Sequence, residues 1–181
     1  IVIADSGVRH SLADSAYNSL RSDCQEAVEQ LRTWCASLVS LRDVTPRFLL
    51  EHLSELPERV GRRAQHVVGE MARVEQALGC LMEGDSPGFG ALMLETHASL
   101  RDLFGVSCPE LDLLVGLASS HPACYGARLT GAGFGGCTVN LVRTDGVDDF
   151  VSWLKAAVLE KSGRDTPIEV CQAVDGAHLV I

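Results

Sequence analysis

The chain has 181 residues, of which 46% are hydrophobic and 22% are charged, and its 15 Lys and Arg against 24 Asp and Glu give a net charge of −9. This composition is typical of one globular domain and excludes disorder and low-complexity scaffolding. The acidic balance argues against nucleic acid and membrane surfaces as partners, because both require clustered Lys and Arg. A phosphate-handling enzyme is not excluded, since backbone N–H groups alone can bind phosphate.

The seven cysteines and six histidines show no metal-ligand spacing. No two cysteines lie within four residues of each other, and no HExxH pattern occurs, so we expect no metal site carried by this chain. Scattered cysteines predict small, buried, apolar side chains in a reducing compartment. Because the sequence has neither a run of about 18 apolar residues nor a signal-peptide pattern, we expect a cytoplasmic protein.

The first residues, Ile1-Val2-Ile3, form a β-branched run that predicts a strand through Ala4. A strand needs partners, and natural chains rarely start inside one. We therefore expect this chain to begin within a longer protein.

Helical spacing of apolar residues dominates as far as Ala118 and predicts a packed bundle whose apolar stripes are core. The first helix is expected to start at a cap on Asp14 or Ser15, with its stripe running from Cys24 to Leu38. A short helix opens at Thr45-Pro46 and stops near Pro57. The longest stripe contains Val60, Ala64, Val67, Val68, Met71, Val74, Leu78 and Leu81, and Gly84 is its predicted stop.

Two further helices complete the predicted bundle. Ser86-Pro87 opens a helix that carries apolar residues as far as Leu103. The run from Ser107 to Glu110 fits a capping box ahead of the next helix, which carries Leu111 to Ala118.

The pattern changes after Gly126, where strand-like segments appear. Residues Cys137 to Leu141 alternate apolar and polar and predict a strand, and a helix follows from about Val147 to Leu159. Runs at Ile168–Val174 and His178–Ile181 flank Asp175-Gly176, a hairpin signal. Helices followed by antiparallel strands predict an α+β fold, a helical bundle packed on a small antiparallel sheet.

One stretch carries a signal for chemistry, the segment Thr130-Gly131-Ala132-Gly133-Phe134-Gly135-Gly136. It contains G-x-G-x-x-G, but a strand follows it where a dinucleotide-binding fold requires a helix. No Lys-Ser/Thr follows, so it is not a Walker loop. A ligand loop whose N–H groups bind an anion and a tight turn packed against a helix both remain open from spacing alone.

This glycine-rich run, with Cys137 after it, resembles the third motif of the GHMP small-molecule kinases, and most closely that of the galactokinase branch. Other segments are similar to that branch in the same order along almost the whole chain: Asp5 to Leu12, Ser15 to Asn18, Arg63 to Glu70, Phe89 to Met93, His97 to Asp102, and Val106 to Asp112. Any one of these motifs is weak, and together they are specific.

The resemblance implies that residues 1–181 are a GHMP kinase C-terminal domain with ferredoxin-like elements. It implies a protein that transfers the γ-phosphoryl group of ATP to the anomeric hydroxyl of galactose with Mg²⁺, and that is monomeric at full length. The family's first two motifs have no counterpart here. The base, the arginine and the Mg²⁺ ligands are therefore expected in a missing N-terminal half, with no catalytic residue in this chain, which is expected to be inactive alone.

The resemblance assigns two sites. Gly131, Ala132, Gly133, Phe134, Gly135 and Gly136 are expected to form an active-site loop near the phosphates. Tyr17 is expected to contact the sugar, with an aromatic packed at a helix start as the alternative.

The remaining polar residues have structural interpretations. Arg9 and His10 are as well explained by fixing a loop as by touching a ligand, and His97 by being a satisfied core histidine. Arg128 could pair with Asp112.

Three other functions stay open. One is a kinase for N-acetylgalactosamine, and another is a non-catalytic sensor of sugar and ATP. The third is a free-standing helical interaction domain.

Overall fold

The computed structural model describes residues 1–9 and 13–176. In chain order its helices are α1 (Ala13–Leu31), α2 (Pro46–His52), α3 (Glu58–Glu83), α4 (Ser86–Ser99), α5 (Pro109–Ser120) and α6 (Val147–Ser162). The strands are β1 (Val2–Asp5), β2 (Cys124–Leu129), β3 (Cys137–Val142) and β4 (Ile168–Val170). The predicted α+β class is confirmed.

The four strands form one antiparallel sheet in the order β2-β3-β1-β4. The predicted first strand is confirmed, and it is central: Val2 lies opposite Asn140 of β3 on one side and Val170 of β4 on the other. The sheet packs on α5 and α6 around the fully buried Phe150. A second apolar cluster joins α1, α2 and the first half of α3.

Several predicted helix ends are confirmed by their local chemistry. Thr45 caps α2 by accepting a hydrogen bond from the Phe48 N–H, with Pro46 in the first turn. Gly84 ends α3 in the left-handed conformation at φ 70°, where a residue without a Cβ is least strained.

Other predicted boundaries are wrong. Asp14 and Ser15 lie within α1, and this helix ends at Leu31, because the chain turns there and Arg32 Nε donates to the Leu38 carbonyl at 2.7 Å. Leu38 is buried after that turn, which explains its place in the helical pattern. The α5 cap is Cys108, and the Ser107 hydroxyl donates to Asp112 instead of accepting a hydrogen bond from an N–H group of the helix start.

The end of the chain also departs from the prediction. Strand β4 stops at Val170, so the strand expected through Val174 is confirmed only in its first three residues. Asp175-Gly176 lies in no regular element, and the second arm of the predicted hairpin lies outside the described residues.

The apolar stripe of α3 is core over only half its length. Val60, Ala64 and Val68 are buried among α1 and α2. Val74, Leu78 and Leu81 are 54%, 60% and 63% exposed. The apolar cluster shared with α1 and α2 ends at Val68, so the later turns lack those two partners and the prediction that they are core is wrong.

The cysteines also depart from the expectation of full burial. All seven are free thiols of intermediate exposure. Burial is sufficient to raise the pKa of Cys124 to about 11, which keeps that thiol protonated.

Helix α4 packs closely against β2. A Cβ at Gly90 would lie under 3.0 Å from the Tyr125 carbonyl, and one at Gly126 would meet the Gly90 carbonyl as closely. The helix therefore lies directly on the strand backbone, which brings β2 and the loop after it against the bundle.

We expect Gly90→Ala to destabilise the protein by about 1–3 kcal/mol, since the added methyl group has no room. Gly116→Ala is the matched control, because Gly116 is also in a helix but has no atom near the added Cβ. This control should gain up to about 1 kcal/mol from helix propensity. Urea unfolding measures both, and equal effects of the two substitutions would contradict the close contact.

His66 is a buried titratable group between α3 and α4. Its Nδ1 is 2.8 Å from Ser99 Oγ, and burial lowers the pKa of His66 to about 4. The folded state therefore binds this proton more weakly than the unfolded state does.

The contribution of neutral His66 to the free energy of unfolding should therefore be fully present above pH 6.5. It should fall as the pH drops from 6.5 to about 4 and level off below that. The loss attributable to His66 should approach about 1.4 kcal/mol per pH unit. The measurement is urea unfolding of the wild type and His66→Gln across this range. An unchanged pH dependence in the variant would contradict the assignment.

Candidate functional site

The glycine-rich loop connects β2 to β3 and is closed by a hydrogen bond from the Thr130 N–H to the Cys137 carbonyl, at 3.0 Å. Its four glycines all have positive φ, at 81°, 83°, 143° and 79°, and Phe134 between them has φ 61°. Non-glycine residues rarely adopt this conformation. The loop therefore needs its glycines for conformation, whatever it binds.

Two of the glycines are also required by packing. A Cβ at Gly133 would lie under 3.0 Å from the Val106 carbonyl, and one at Gly135 would lie 2.6 Å from the Val8 carbonyl. The same carbonyls accept hydrogen bonds from the Phe134 N–H at 2.6 Å and the Gly136 N–H at 3.0 Å. The loop is thus wedged between the segment after β1 and the segment before α5.

The start of the loop is different, because it faces open space. A Cβ at Gly131 would meet no atom within 4 Å, and Gly131 and Ala132 are exposed. Within the described part of the chain, the N–H groups of Gly131, Ala132 and Gly133 have no hydrogen-bond acceptor. Successive free N–H groups of this kind can bind an anion.

Tyr17 and this loop face the same cavity, of about 550 Å³. Tyr17 lies in the second turn of α1 and is 59% exposed, so it is not packed into the core. The cavity is lined by Tyr17, Leu20, Arg21, Cys24, Leu100, Phe104, Val106, Gly131, Ala132 and Phe134. The structure therefore brings together two features that lie more than a hundred residues apart.

The charge of this cavity contrasts with that of the chain. Among the described residues of its lining, Arg21 is the only charged group, although the net charge is −9. These residues include no carboxylate that would repel an anion, and the walls that they form are aromatic and aliphatic. Such a surface suits a neutral or anionic ligand with flat apolar faces.

Arg9, next to the glycine loop, is held by Asp5. Its guanidinium binds both carboxylate oxygens, at 2.9 and 2.5 Å, and this pairing lowers the pKa of Asp5 to about 2. The Ser6 N–H donates to the Gly136 carbonyl at 2.9 Å. This geometry matches the loop-fixing interpretation of Arg9, while His10 lies outside the described residues.

His97 is a buried residue with both ring nitrogens engaged. Its Nε2 is 3.1 Å from Asp112 Oδ1, and its Nδ1 accepts from the Leu129 N–H at 3.3 Å. This arrangement requires a neutral ring with its proton on Nε2, and burial lowers the pKa of His97 accordingly. The interpretation of His97 as a satisfied core histidine agrees with this geometry, which fixes the end of β2 before the glycine loop.

The predicted pairing of Arg128 with Asp112 is wrong. Asp112 instead accepts hydrogen bonds from His97 and from the Ser107 hydroxyl, the latter at 2.5 Å. Arg128 donates to the carbonyl of its neighbour Leu129, at 3.4 Å.

One wall of the cavity was not predicted from the sequence. Leu100 and Phe104 belong to a π-helical turn, Leu100–Phe104, that follows α4. Apolar spacing predicts an ordinary helix through Leu103. The only sequence signal for a different ending is Gly105, which ends the turn at φ 71°.

Residues 1–9 and 13–176 contain no group of three or more His, Cys, Asp or Glu that could hold a metal ion. The donor set of the candidate cavity therefore does not fit a Mg²⁺ ion held by these residues, and no step through the metal is assigned to them. None of the described helices combines the length and apolarity needed to cross a membrane.

Comparison with known proteins gives consistent results. The sequence profile described as GHMP kinases C terminal matches residues 77–156. Galactokinase from Roseiflexus sp. is 47% identical over 100% of this chain and 46% of its own length. Galactokinase from Homo sapiens is 41% identical over 99% of this chain and 44% of its own length.

Solved structures agree. Lactococcus lactis galactokinase complexed with galactose has a TM-score of 0.88 at 31% identity, over 94% of this chain and 44% of that chain. L. major mevalonate kinase in complex with R-mevalonate shares the fold alone, with a TM-score of 0.56 at 24% identity, over 86% of this chain and 37% of that chain. The chain spans about half the length of the curated relatives it matches. Residues 77–156 are therefore similar to the C-terminal region of the GHMP kinases, and the whole chain is similar to the C-terminal part of galactokinases.

Proposed function

We propose that residues 1–181 form the C-terminal domain of a kinase that transfers the γ-phosphoryl group of ATP to the anomeric hydroxyl of galactose. The observation that carries this proposal is the cavity shared by Tyr17 and the glycine-rich loop, in a chain similar to galactokinases over its whole length. ATP and galactose are the proposed ligands of this cavity and of a second half of the protein that closes over it.

Tyr17 is the proposed sugar contact. Its phenol can donate and accept one hydrogen bond with a sugar hydroxyl, and its ring presents a flat apolar face to the C–H groups of the sugar. Phe104 and Leu20 line the same cavity and add apolar surface beside it. The high exposure of Tyr17 leaves the side chain available for this contact.

The proposed task of the loop is to stabilise the phosphates. Phosphoryl transfer depends on positioning and on donors directed at the charge of the moving group. The free N–H groups of Gly131, Ala132 and Gly133 are such donors, and the packing of Gly133 and Gly135 fixes them in place before any ligand binds. Arg21 adds positive charge to the same cavity.

The chain provides recognition in this scheme, and the chemical step requires the second half. The galactose hydroxyl must lose its proton, its oxygen must bond to the γ-phosphorus, and the bond to the bridging oxygen must break to release ADP. Among the described residues that line the cavity, none has a carboxylate that could accept the proton. The base and the ligands of Mg²⁺, which neutralises phosphate charge when bound, are assigned to the second half, so the isolated chain should be inactive.

The deciding assay is ADP release by the complete gene product with galactose and with N-acetylgalactosamine. Turnover with galactose supports the proposal, and turnover with N-acetylgalactosamine alone corrects the sugar. Binding of galactose and ATP without turnover would establish a non-catalytic sensor instead.

We expect Tyr17→Phe in the complete protein to raise the KM for galactose about 3- to 10-fold, which corresponds to one neutral hydrogen bond. The KM for ATP should not change. Tyr125→Phe is the matched control, because Tyr125 is the only other tyrosine and does not line the cavity. An unchanged KM for galactose in Tyr17→Phe would return Tyr17 to a packing role.

Gly131 is the best position for testing the loop, because a substitution at Gly133 would collide with the Val106 carbonyl. Asn tolerates positive φ, so Gly131→Asn adds a side chain to the phosphate side of the cavity with limited strain. We expect kcat/KM for ATP to fall at least about tenfold through lost transition-state contacts.

Gly163→Asn is the control for this variant. Gly163 has φ 68° and open space around its Cβ, but it lies after α6, outside the cavity lining. If both variants keep wild-type kinetics with ATP, the loop does not act on the phosphates.

A further inference from the structure

The wall of the candidate cavity opposite α1 is an unusually wide turn. In the π-helical turn Leu100–Phe104, the N–H groups of both Gly105 and Val106 donate to the Leu100 carbonyl. This geometry directs Phe104 and Val106 to the cavity. A wide turn of this kind leaves other carbonyls without partners inside the helix, so these must be satisfied from elsewhere.

Helix α3 supplies those partners. Arg62 Nη2 donates to the Asp102 carbonyl, and Arg63 Nη1 donates to the Leu103 carbonyl. One turn later on α3, the His66 ring lies against the Phe104 ring, with centroids 4.5 Å apart. The backbone and the aromatic ring of the turn are therefore both held by α3.

Arg63 also faces α1, on the other side of the cavity. Its Nε is 3.7 Å from Oδ2 of Asp23, whose side chain is 4% exposed. Asp23 pairs as well with Arg59, which is exposed and which, within the described residues, has no bond to the turn. Leu20 and Cys24, which neighbour Asp23 on α1, line the cavity. Arg63 thus connects the helix that carries Tyr17 with the turn that carries Phe104.

From these contacts we propose that Arg63 is a positioning residue, which sets the distance between Tyr17 and Phe104 and thereby the fit of the cavity to its sugar. This inference rests on the proposed function for the identity of the ligand. The connection that Arg63 makes between α1 and the π-helical turn follows from the contacts alone and does not depend on that function.

The chemistry of the side chain explains why arginine is required there. Burial and the neighbouring Arg62 and Arg59 lower the pKa of Arg63, and the buried carboxylate of Asp23 is an opposite charge that faces its guanidinium. The planar guanidinium presents donors in several fixed directions, so it can face Asp23 and the Leu103 carbonyl together. A lysine is a single point charge and can keep the attraction to Asp23 without the second contact.

The test therefore compares Arg63→Lys with Arg59→Lys in the complete protein. Both variants keep a positive charge beside Asp23, and only Arg63→Lys loses the contact with the turn. We expect Arg63→Lys to raise the KM for galactose about tenfold, since small displacements of binding groups have effects of this size or larger. The kcat of Arg63→Lys should stay within about twofold of the wild-type value, because the change moves no reacting group. Arg59→Lys should keep the wild-type KM for galactose, because Arg59 has no bond to the turn within the described residues. Equal KM values in the two variants would overturn the proposal.

A second readout separates this proposal from the proposed function. The complete protein is labelled with 4-fluorophenylalanine, which replaces the five phenylalanines of residues 1–181 among others, and the Phe104 signal is assigned by its loss in Phe104→Leu. The ¹⁹F shift of Phe104 should move in Arg63→Lys and not in Arg59→Lys. An unmoved signal overturns the positioning role, whereas a moved signal in a protein that does not phosphorylate galactose overturns only the proposed reaction.

A third variant covers the case in which Arg63→Lys does not fold. A Cβ at Gly105 would lie 3.1 Å from Arg63 Nη1, so Gly105→Asn displaces the guanidinium while keeping its charge, and Asn tolerates the φ of 71°. It should move the Phe104 signal in the same way. A Phe104 signal that is unchanged in Gly105→Asn would also overturn the proposal.

Discussion

The candidate site depends on the close approach of the glycine-rich loop to two backbone carbonyls. Val8 and Val106 belong to segments almost a hundred residues apart, and both accept hydrogen bonds from the same short loop. Neither Gly133 nor Gly135 could carry a Cβ without breaking this contact. The loop therefore joins the exit of β1, the start of α5 and the β2–β3 connection into one rigid edge.

The polar contacts behind this edge serve the same arrangement. His97 and Asp112 hold the end of β2 where the loop begins. Arg63 and Asp23 hold the walls that face it. A buried ion pair adds little to stability compared with an apolar packing of the same volume, but it specifies one geometry. That specificity is what a cavity between a helix, a turn and a loop requires.

Local chemistry made part of this structure predictable. The Thr45-Pro46 cap, the Gly84 stop, the strand from Cys137 and the glycine-rich loop each follow from a few neighbouring residues.

What could not be predicted depends on partners far along the chain. Periodicity shows that Val74, Leu78 and Leu81 share a face of α3, but not whether a neighbouring helix reaches that far. Ser107 fits a helix cap by spacing, yet its hydroxyl donates to Asp112, one turn inside the helix. The π-helical turn has carbonyls that accept hydrogen bonds from Arg62 and Arg63, and no local pattern records these distant partners.

The distribution of charge supports the proposed division of tasks between this chain and a second half of the protein. In a chain of net charge −9, the described lining of the cavity presents free N–H groups and one arginine, and no carboxylate. Such a surface suits the proposed phosphate and neutral sugar, but its described residues include no carboxylate that removes a proton. A carboxylate that acted as the base in this lining would repel the phosphate anion proposed to bind beside it. In the proposed function the base belongs to the second half and the glycine-rich loop to this chain, which avoids that repulsion. A recognition surface without its own base is therefore what the proposal predicts for this chain.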